Sequence, residues 1–255
     1  MYPSDITDKE WSILAPFVVQ GKMGRPRKHE IQKIINGIRY VMKSGCQWRL
    51  SPKDFPPWQT VYDYYLRWRK NGKWQGIHDT LVKQVREKAG KKPAPTVGII
   101  RQSICKDCTK RGFKGYDAGK KVKGRKRHIT TDTIGLVLSC NVHSAGIQDR
   151  DGAKAVLAQV KTKYPTIVKF FADGGYAGAL QIWCFLTLKT LLAIAHKIVD
   201  IGFKAIPKRW IVERTFGWFN NFRRMSKNYE HNPKTSEHII YINMIAIMLK
   251  RLAEP

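Results

Sequence analysis

The spacing of apolar residues changes at residues 90–95, and this change restricts the chain to folds built from two different parts. Before it, apolar side chains recur every three or four residues, the period of an amphipathic helix. After it, short β-branched runs alternate with helical segments, which is typical of an α/β domain with a mixed sheet. The segment Gly90-Lys91-Lys92-Pro93-Ala94-Pro95 between them has the composition of a linker. We therefore expect two domains, residues 1–92 and residues 93–255.

The first part is expected to hold four helices in a basic, helix-turn-helix-like arrangement. Thr7 followed by Glu10 is a capping-box pattern that begins the first helix. Gly45 follows the last apolar turn of the second helix, as a helix stop does. The first helix is short and carries Trp11, Leu14, Ala15 and Val18 on one face, and the other expected helices cover about residues 29–43, 59–70 and 73–89. Four tryptophans in this part are interpreted as packing residues rather than as base-stacking platforms: Trp48, Trp58, Trp68 and Trp74.

The second part is expected to alternate strands and helices around a sheet. Ile134-Gly135 lies between two strand-like runs and predicts a hairpin turn. A basic, glycine-rich loop is expected over residues 106–127. The expected strands are 97–100, 128–133, 136–142, 166–172 and 203–206, and the expected helices are 149–161, 179–195, 210–224 and 235–252.

Charge limits the partners of the chain. Lys and Arg number 47 against 19 Asp and Glu, a formal net charge of +28 in 255 residues. Such a charge favours a polyanionic partner, and nucleic acid is the usual one. Added acidic residues serve solubility better than added basic ones, so a role in solubility alone explains the charge poorly.

The cysteines and the apolar runs indicate the compartment. Five cysteines at scattered positions do not form a disulfide framework, and the close pair Cys105 and Cys108 lacks the second pair that a zinc site needs. The two most apolar runs, 182–195 and 239–249, are too short to span a membrane. We expect a soluble cytoplasmic protein, associated with the nucleoid, without a membrane partner.

Two acidic residues stand where a reaction centre could form. Asp173 follows a strand-like run and precedes two glycines, a common place for a carboxylate that holds a metal or a substrate. An ordinary Asp-Gly turn explains the same pattern. Glu213 lies early in a predicted helix within a basic segment, and the helix dipole with an ion-pair partner is the alternative explanation there.

Two basic segments are candidates for phosphate contacts. The first contains Lys120, Lys121, Lys123, Arg125, Lys126 and Arg127. It is interpreted as positioning a DNA duplex without reading its sequence, with a solvated loop as the alternative. In the second, residues 24–28, Arg25 and Arg27 could reach a minor groove or could form only the basic start of the second helix.

Taken together, ordered segments along nearly the whole chain resemble transposases of the insertion-sequence-five family. The segments are residues 6–11, 24–26, 44–49, 58–62, 67–68, 115–121, 123–128, 148–153, 172–176, 209–218 and 222–224. The resemblance implies an α/β fold with a ribonuclease-H-like catalytic domain of mixed sheet and flanking helices. A small helical, helix-turn-helix-like DNA-binding domain would precede it.

The resemblance also implies a mechanism and its residues. Enzymes of this type use three carboxylates to hold two divalent metal ions, which cleave and transfer DNA strands. Asp173 and Glu213 match the second and third carboxylates and would be catalytic residues and metal ligands. Arg209 matches a basic residue that contacts phosphate. Mg²⁺, or Mn²⁺, suits the oxygen ligands. The implied partners are double-stranded DNA, as terminal inverted repeats and target, and further copies of the chain in an oligomer.

The chain departs from the family at the first carboxylate. An Asp-Ser-Gln-Ser run is usual there, but Ile100 is followed by Arg101, Gln102 and Ser103. Arg cannot ligate a cation, and its charge opposes a metal pair. Asp107 is the nearest downstream acid but has no matching context. Asp117 and Asp132 are the other candidates in this stretch, and Asp117 already matches a different position of the family. We expect either a transposase that cleaves and transfers strands or a catalytically defective copy that only binds DNA, and the missing acid favours the second.

Overall fold

The chain folds as two units whose boundary lies at the change in apolar pattern. The computed structural model describes residues 2–19, 27–106, 114–194 and 209–254. The first unit comprises Met1–Lys91, Asn221–Ser226 and His238–Pro255, and the second comprises Lys92–Asn220 and Lys227–Glu237. The boundary after Lys91 lies beside the predicted one, whereas the inclusion of the last helix in the first unit was not predicted. Arg25, Asp107, Cys108 and the predicted strand 203–206 lie outside the described residues.

The helical unit begins with the four helices that the sequence predicted. They are α1 (Asp8–Val18), α2 (Ile31–Ser44), α3 (Trp58–Lys70) and α4 (Lys73–Lys88). The Thr7–Glu10 capping box is confirmed, with Glu10 N donating to Thr7 Oγ1 at 3.2 Å and Thr7 N to Glu10 Oε2 at 3.1 Å. Gly45 ends α2 with a φ of 73°, a left-handed conformation that glycine adopts without strain. Trp68 and Trp74 are buried and meet edge to face, which confirms them as packing residues.

Most of the last helix belongs to this first unit. The helix α8 covers Pro233–Ala253, and from His238 onward it is grouped with the helical unit. The His78 and Tyr241 rings meet with centroids 4.8 Å apart. The Lys88 ammonium donates to the carbonyl oxygens of Arg251, Leu252 and Glu254, which the end of a helix otherwise leaves unpaired. The carboxyl end of the chain thereby completes the helical unit.

The second unit is a six-stranded mixed sheet with helices. Its strands are β1 (Val97–Lys106), β2 (Gly115–Asp117), β3 (Val122–Thr131), β4 (Val137–Ser144), β5 (Lys169–Ala172) and β6 (Leu191–Ile194). The order is β2-β3-β1-β5-β6, with β4 also paired to β3. The β1–β3, β2–β3 and β3–β4 pairs are antiparallel, and the β1–β5 and β5–β6 pairs are parallel. The predicted α/β class, a mixed sheet with flanking helices that follows a helical region in the sequence, is confirmed.

Helices cover both faces of this sheet. They are α5 (Asp149–Lys163), α6 (Ala179–Leu188) and α7 (Arg209–Phe219). Gln102 on β1 contacts Asp149 of α5, whereas Arg101 contacts Glu213 of α7. Because neighbouring residues of a strand point to opposite faces, α5 and α7 lie on opposite sides of β1. The face near α7 therefore carries Arg101, and the face near α5 carries Gln102.

Two predictions for this unit were wrong. The expected loop 106–127 contains β2 and the beginning of β3, because the basic residues of this segment find acceptors inside the protein. The expected helix 179–195 ends at Leu188, where Lys189 adopts a left-handed conformation with a φ of 51°, and the chain continues as β6. The hairpin turn at Ile134-Gly135 is confirmed, with a φ of 88° at Gly135. No helix within the described ranges is long and apolar enough to cross a bilayer.

Candidate active site

The sheet places Asp173 beside Arg101. Asp173 directly follows β5, which pairs in parallel with β1 so that Ile99 is opposite Phe171. Two residues further along each strand are Arg101 and Asp173, on the same face because side chains alternate. Arg101 Nη1 lies 3.8 Å from Asp173 Oδ2. Asp173, at the end of β5, thus lies close to the arginine that stands where the resemblance predicted an acid.

Glu213 reaches the same guanidinium from α7. Its Oε1 lies 2.8 Å from Arg101 Nη1, a charge-assisted contact. The exposed fractions are 24% for the Arg101 side chain, 30% for Asp173 and 45% for Glu213, so the group is open to solvent on one side. The two acids that the sequence singled out therefore converge, and a guanidinium nitrogen lies between them.

Asp173 serves two purposes at once. Its Oδ1 accepts a hydrogen bond from Gly175 N at 3.1 Å and caps a short 3-10 turn, Gly174–Tyr176. Its Oδ2 is the atom that faces Arg101. Tyr176, which ends the turn, is fully buried, and burial raises its pKa well above the ordinary value. The two explanations of the Asp-Gly pattern are therefore compatible, because one oxygen builds the turn and the other faces the site.

On the opposite face of the sheet lies a second pair of carboxylates joined by a cation, which we call the inner cluster: Asp117, Lys126, Asp149 and Gln102. Lys126 Nζ lies 2.8 Å from Asp117 Oδ2 and 2.7 Å from Asp149 Oδ1, and it donates to the Ile147 carbonyl oxygen at 2.7 Å. These three acceptors match the three N–H groups of an ammonium. Gln102 Nε2 donates to Asp149 Oδ2 at 2.8 Å.

The charges of the inner cluster stabilise one another. Burial lowers the pKa of Lys126, but the hydrogen bonds and charges of Asp117 and Asp149 outweigh it and leave the pKa raised. The hydrogen bond from Lys126 lowers the pKa of Asp117. The Lys126 side chain is only 4% exposed. The cluster thus holds an ion triad around a nearly buried ammonium, which the sequence did not predict because its members are far apart in the chain.

Two histidines pack beside the inner cluster in one defined protonation state. His143 Nδ1 faces the Ser144 carbonyl oxygen at 2.8 Å and so carries a proton, which makes its Nε2 an acceptor. His128 Nδ1 lies 2.7 Å from that Nε2 and must donate. His128 is fully buried, and burial lowers its pKa to about 3. Both rings are therefore neutral near pH 7.

The other acids of the first half do not join Asp173 and Glu213. Asp117 is held by Lys126 in the inner cluster. Asp132 is fully buried in the β3–β4 turn, where its Oδ1 accepts hydrogen bonds from Ile134 N and Leu136 N. Neither residue has a side chain free to supply the first carboxylate.

The predicted phosphate-contacting segment divides into an exposed and a buried half. Lys120 and Lys121 lie in the turn between β2 and β3, Lys123 is the second residue of β3, and all three are exposed. The prediction for the other three, Arg125, Lys126 and Arg127, is corrected because they lie within β3 and are buried. Arg125 donates to the Glu230 and His231 carbonyl oxygens, and Arg127 to that of Lys227. Of the remaining candidates, Arg27 is exposed and Arg209 begins α7.

A cation stacked between aromatic rings lies next to Glu213 and was not predicted. The Arg214 guanidinium lies 4.5 Å from the Trp210 ring centroid and 4.9 Å from that of Trp218, and Arg214 Nη2 donates to the Ile134 carbonyl oxygen. The four-residue spacing of Trp210, Arg214 and Trp218 places them on one helical face. That spacing was a signal in the sequence that could have identified them.

The site as built does not fit a pair of metal ions. Such ions would have to bridge Asp173 and Glu213, and the guanidinium that contacts both offers N–H donors but no lone pair. Among the described residues, no group of three or more His, Cys, Asp or Glu side chains is arranged to hold a metal ion. The arrangement suits charge neutralisation of the two carboxylates by Arg101.

Comparison with known proteins identifies two matching family models. The model for transposases of the IS4/5 family matches residues 6–78, and the model for the transposase DDE domain matches residues 80–249. None of the curated proteins matches the chain. Two solved structures are similar at 10% identity, the Mos1 strand transfer complex and a pre-cleavage Mos1 transpososome. The alignments cover 92% of this chain and 79% and 80% of those chains, with TM-scores of 0.30 and 0.28.

Proposed function

Because the chain belongs to the DDE transposases, whose domain model covers residues 80–249, we propose that it binds the DNA ends of an insertion sequence without cutting them. The observation that supports this proposal is the position of Arg101, whose guanidinium contacts both Asp173 and Glu213. This is the catalytically defective, DNA-binding alternative that the missing first carboxylate suggested. The family generally uses divalent metal ions, and in this chain an arginine has replaced the acid that would help to hold them.

The ion pairs with Arg101 explain the proposed loss of cleavage. A carboxylate that pairs with a guanidinium is poorly available as a metal ligand or as a base for the attacking oxygen. The positive charge of Arg101 also repels any cation that approaches Asp173 or Glu213. We therefore propose that this chain does not bind Mg²⁺ or Mn²⁺ at Asp173 and Glu213, although its family generally uses divalent metal ions.

The proposed partner is double-stranded DNA, including the terminal inverted repeats. The exposed Lys120, Lys121 and Lys123 at the β2–β3 turn would contact phosphates, as would Arg27 and Arg209. The net charge of +28 supports the same assignment. Recognition of the repeats is assigned to the helical region of residues 1–92, with Arg25 within its basic segment. Assembly of several copies on DNA and association with the nucleoid are further parts of this proposal.

Binding of this kind should depend steeply on salt. If six to ten phosphates are contacted, the affinity should fall about 10³–10⁵-fold between about 50 and 200 mM salt. Replacing Lys120, Lys121 and Lys123 together by glutamine should reduce the slope of log K against log[salt] by about 3. The triple replacement of Lys154, Lys189 and Lys227, which are exposed or half-exposed lysines of the second unit outside the proposed contact segment, is the matched control for charge alone. Equal slopes for the two triple variants would contradict the assignment of the β2–β3 turn.

A second candidate function is strand cleavage and transfer by this chain itself. The convergence of Asp173 and Glu213 on one guanidinium supports it, since these are the two acids that the resemblance assigns to catalysis. Duplexes that carry the element ends, incubated with Mg²⁺ or Mn²⁺, separate the two functions. Cleavage that Asp173→Ala abolishes would establish the second function and overturn the first.

The reverse substitution tests the cause of the defect. Replacing Arg101 by Asp-Ser restores the usual run before Gln102 and should yield measurable cleavage, because the new carboxylate would face Asp173 and Glu213. It would also move Gln102 to the other face of β1, since a one-residue insertion reverses the direction of every later side chain in the strand. Binding without rescue would place the defect at more than this position.

A further inference from the structure

We propose that Arg101 is a built-in counter-cation that keeps a divalent cation site at Asp173 and Glu213 closed, so that removing its charge alone opens the site. This inference deepens the proposed function and rests on its account of Arg101, but it concerns ion binding in the absence of DNA. It identifies Arg101 as the group that makes the folded chain independent of metal ions.

The geometry shows why one positive charge is required at this place. A single nitrogen, Arg101 Nη1, lies 2.8 Å from Glu213 Oε1 and 3.8 Å from Asp173 Oδ2. Two carboxylates this close repel each other unless a cation lies between them. The guanidinium is attached to β1, so it supplies this charge without an ion having to bind from solution.

The two carboxylates are held in place by elements that do not depend on Arg101. Asp173 is fixed by its hydrogen bond from Gly175 N and by the buried Tyr176 of the same turn. Glu213 is fixed by α7, where Thr215 Oγ1 donates to the Gly135 carbonyl oxygen at 2.8 Å. A neutral side chain at position 101 would therefore leave the acids facing each other, with their charge uncompensated. Oxygen ligands of this kind bind Mn²⁺ or Mg²⁺.

The inner cluster, in the same sheet, provides a second example of two carboxylates neutralised by one cationic side chain. There, Lys126 neutralises Asp117 and Asp149 in the same way, by a cationic side chain from the neighbouring strand β3. Lys126 has three acceptors around its ammonium, however, and is almost fully buried. The Arg101 pair is more open to solvent, with Glu213 45% exposed, so an ion from solution can reach these acids once the guanidinium is gone.

The test measures thermal unfolding of the full chain, without DNA, in EDTA and in rising concentrations of Mn²⁺. Arg101→Gln removes the charge at similar length, and Arg101→Lys keeps it. The Arg101→Gln melting temperature should rise by about 3–5 °C at about ten times the dissociation constant for Mn²⁺. The wild type and Arg101→Lys should not respond. Adding Asp173→Asn to Arg101→Gln should abolish the response.

The same experiment includes a control for the loss of one positive charge. Lys154→Gln removes a cation from an exposed pair with a single acid, Asp151, and should produce no Mn²⁺ response. A rise in the wild type that Asp173→Asn removes would overturn the proposal, as would an Arg101→Gln response no larger than that of Lys154→Gln. If Arg101→Gln folds only in Mn²⁺, the proposal holds in its strongest form. If it folds in neither condition, Arg101 has a different structural role and the proposal fails. Cleavage by the wild type would refute the proposed function without producing any of these results.

Discussion

Two pairs of carboxylates lie on opposite faces of the same sheet, and each is joined by one cationic side chain from a strand. In the inner cluster, Lys126 has three acceptors and its side chain is 4% exposed. At the candidate active site, Arg101 contacts two acids and its side chain is 24% exposed. The cation of the inner cluster is nearly buried among three acceptors, whereas the cation of the active-site pair is partly exposed.

This difference separates a charge that stabilises the fold from a charge that determines function. Removing a buried cation leaves buried acids without compensation, which costs far more than removing an exposed one. The Asp149 side chain is 26% exposed and that of Asp173 is 30% exposed, so the two sites differ mainly in their cations, of which Lys126 is 4% exposed and Arg101 is 24% exposed. The fold should therefore depend on Lys126, and the metal chemistry on Arg101.

The largest expected effect is at Lys126. Lys126→Met should lower the free energy of unfolding by about 3 kcal/mol, because Asp117, whose side chain is 11% exposed, and Asp149 lose the nearly buried cation that they share. Urea unfolding followed by tryptophan fluorescence measures this change. If Lys126→Met lost less unfolding free energy than Arg101→Gln, the active-site cation rather than the inner-cluster cation would be the one that stabilises the fold.

The second effect concerns pH and the buried His128 beside the inner cluster. Its pKa of about 3 lies below the ordinary value of 6.5, so the unfolded chain takes up the proton first as the pH falls. Stability is therefore complete above pH 6.5 and is lost below it, at up to about 1.4 kcal/mol per pH unit, until the pH approaches the folded-state value. His128→Gln should show a shallower decline between pH 6.5 and 5. Parallel curves for the two proteins would show that another group controls the acid sensitivity.

The smallest effect on stability is expected at Arg101 itself. In EDTA, Arg101→Gln should change the free energy of unfolding by less than about 1 kcal/mol, because partly exposed ion pairs contribute little. The same urea titration measures it beside Lys126→Met, with Lys154→Gln as the exposed-pair control. A loss as large as that of Lys126→Met would mean that the active-site pair stabilises the fold as well.

Local signals in the sequence predicted much of the fold. The Thr7–Glu10 capping box, Gly45 at the end of α2 and the hairpin at Gly135 each depend on a few neighbouring residues, and each is confirmed. The sequence patterns did not predict contacts between residues that are far apart in the chain. Arg125 is buried because the carbonyl oxygens of Glu230 and His231 accept its hydrogen bonds. No local pattern distinguishes such a residue from one on a solvated loop.

The candidate site was predictable in its members but not in its contacts. Asp173 and Glu213 were selected from their sequence context, and Arg101 was recognised as replacing an acid. That the guanidinium would contact both of them follows from the pairing of β1 with β5 and from the position of α7, which only the folded chain reveals. The role of Asp149 was missed for the same reason, since its partners Lys126 and Gln102 lie on two other strands.

The most direct test of the central claim is the anomalous scattering of Mn²⁺ in crystals of the wild type and of Arg101→Gln, grown under the same conditions. In the wild type, where the guanidinium contacts both acids, we expect no manganese peak between Asp173 and Glu213. In Arg101→Gln we expect a manganese peak at that place. A manganese peak between these carboxylates in the wild-type protein, with Arg101 displaced from them, would contradict the account.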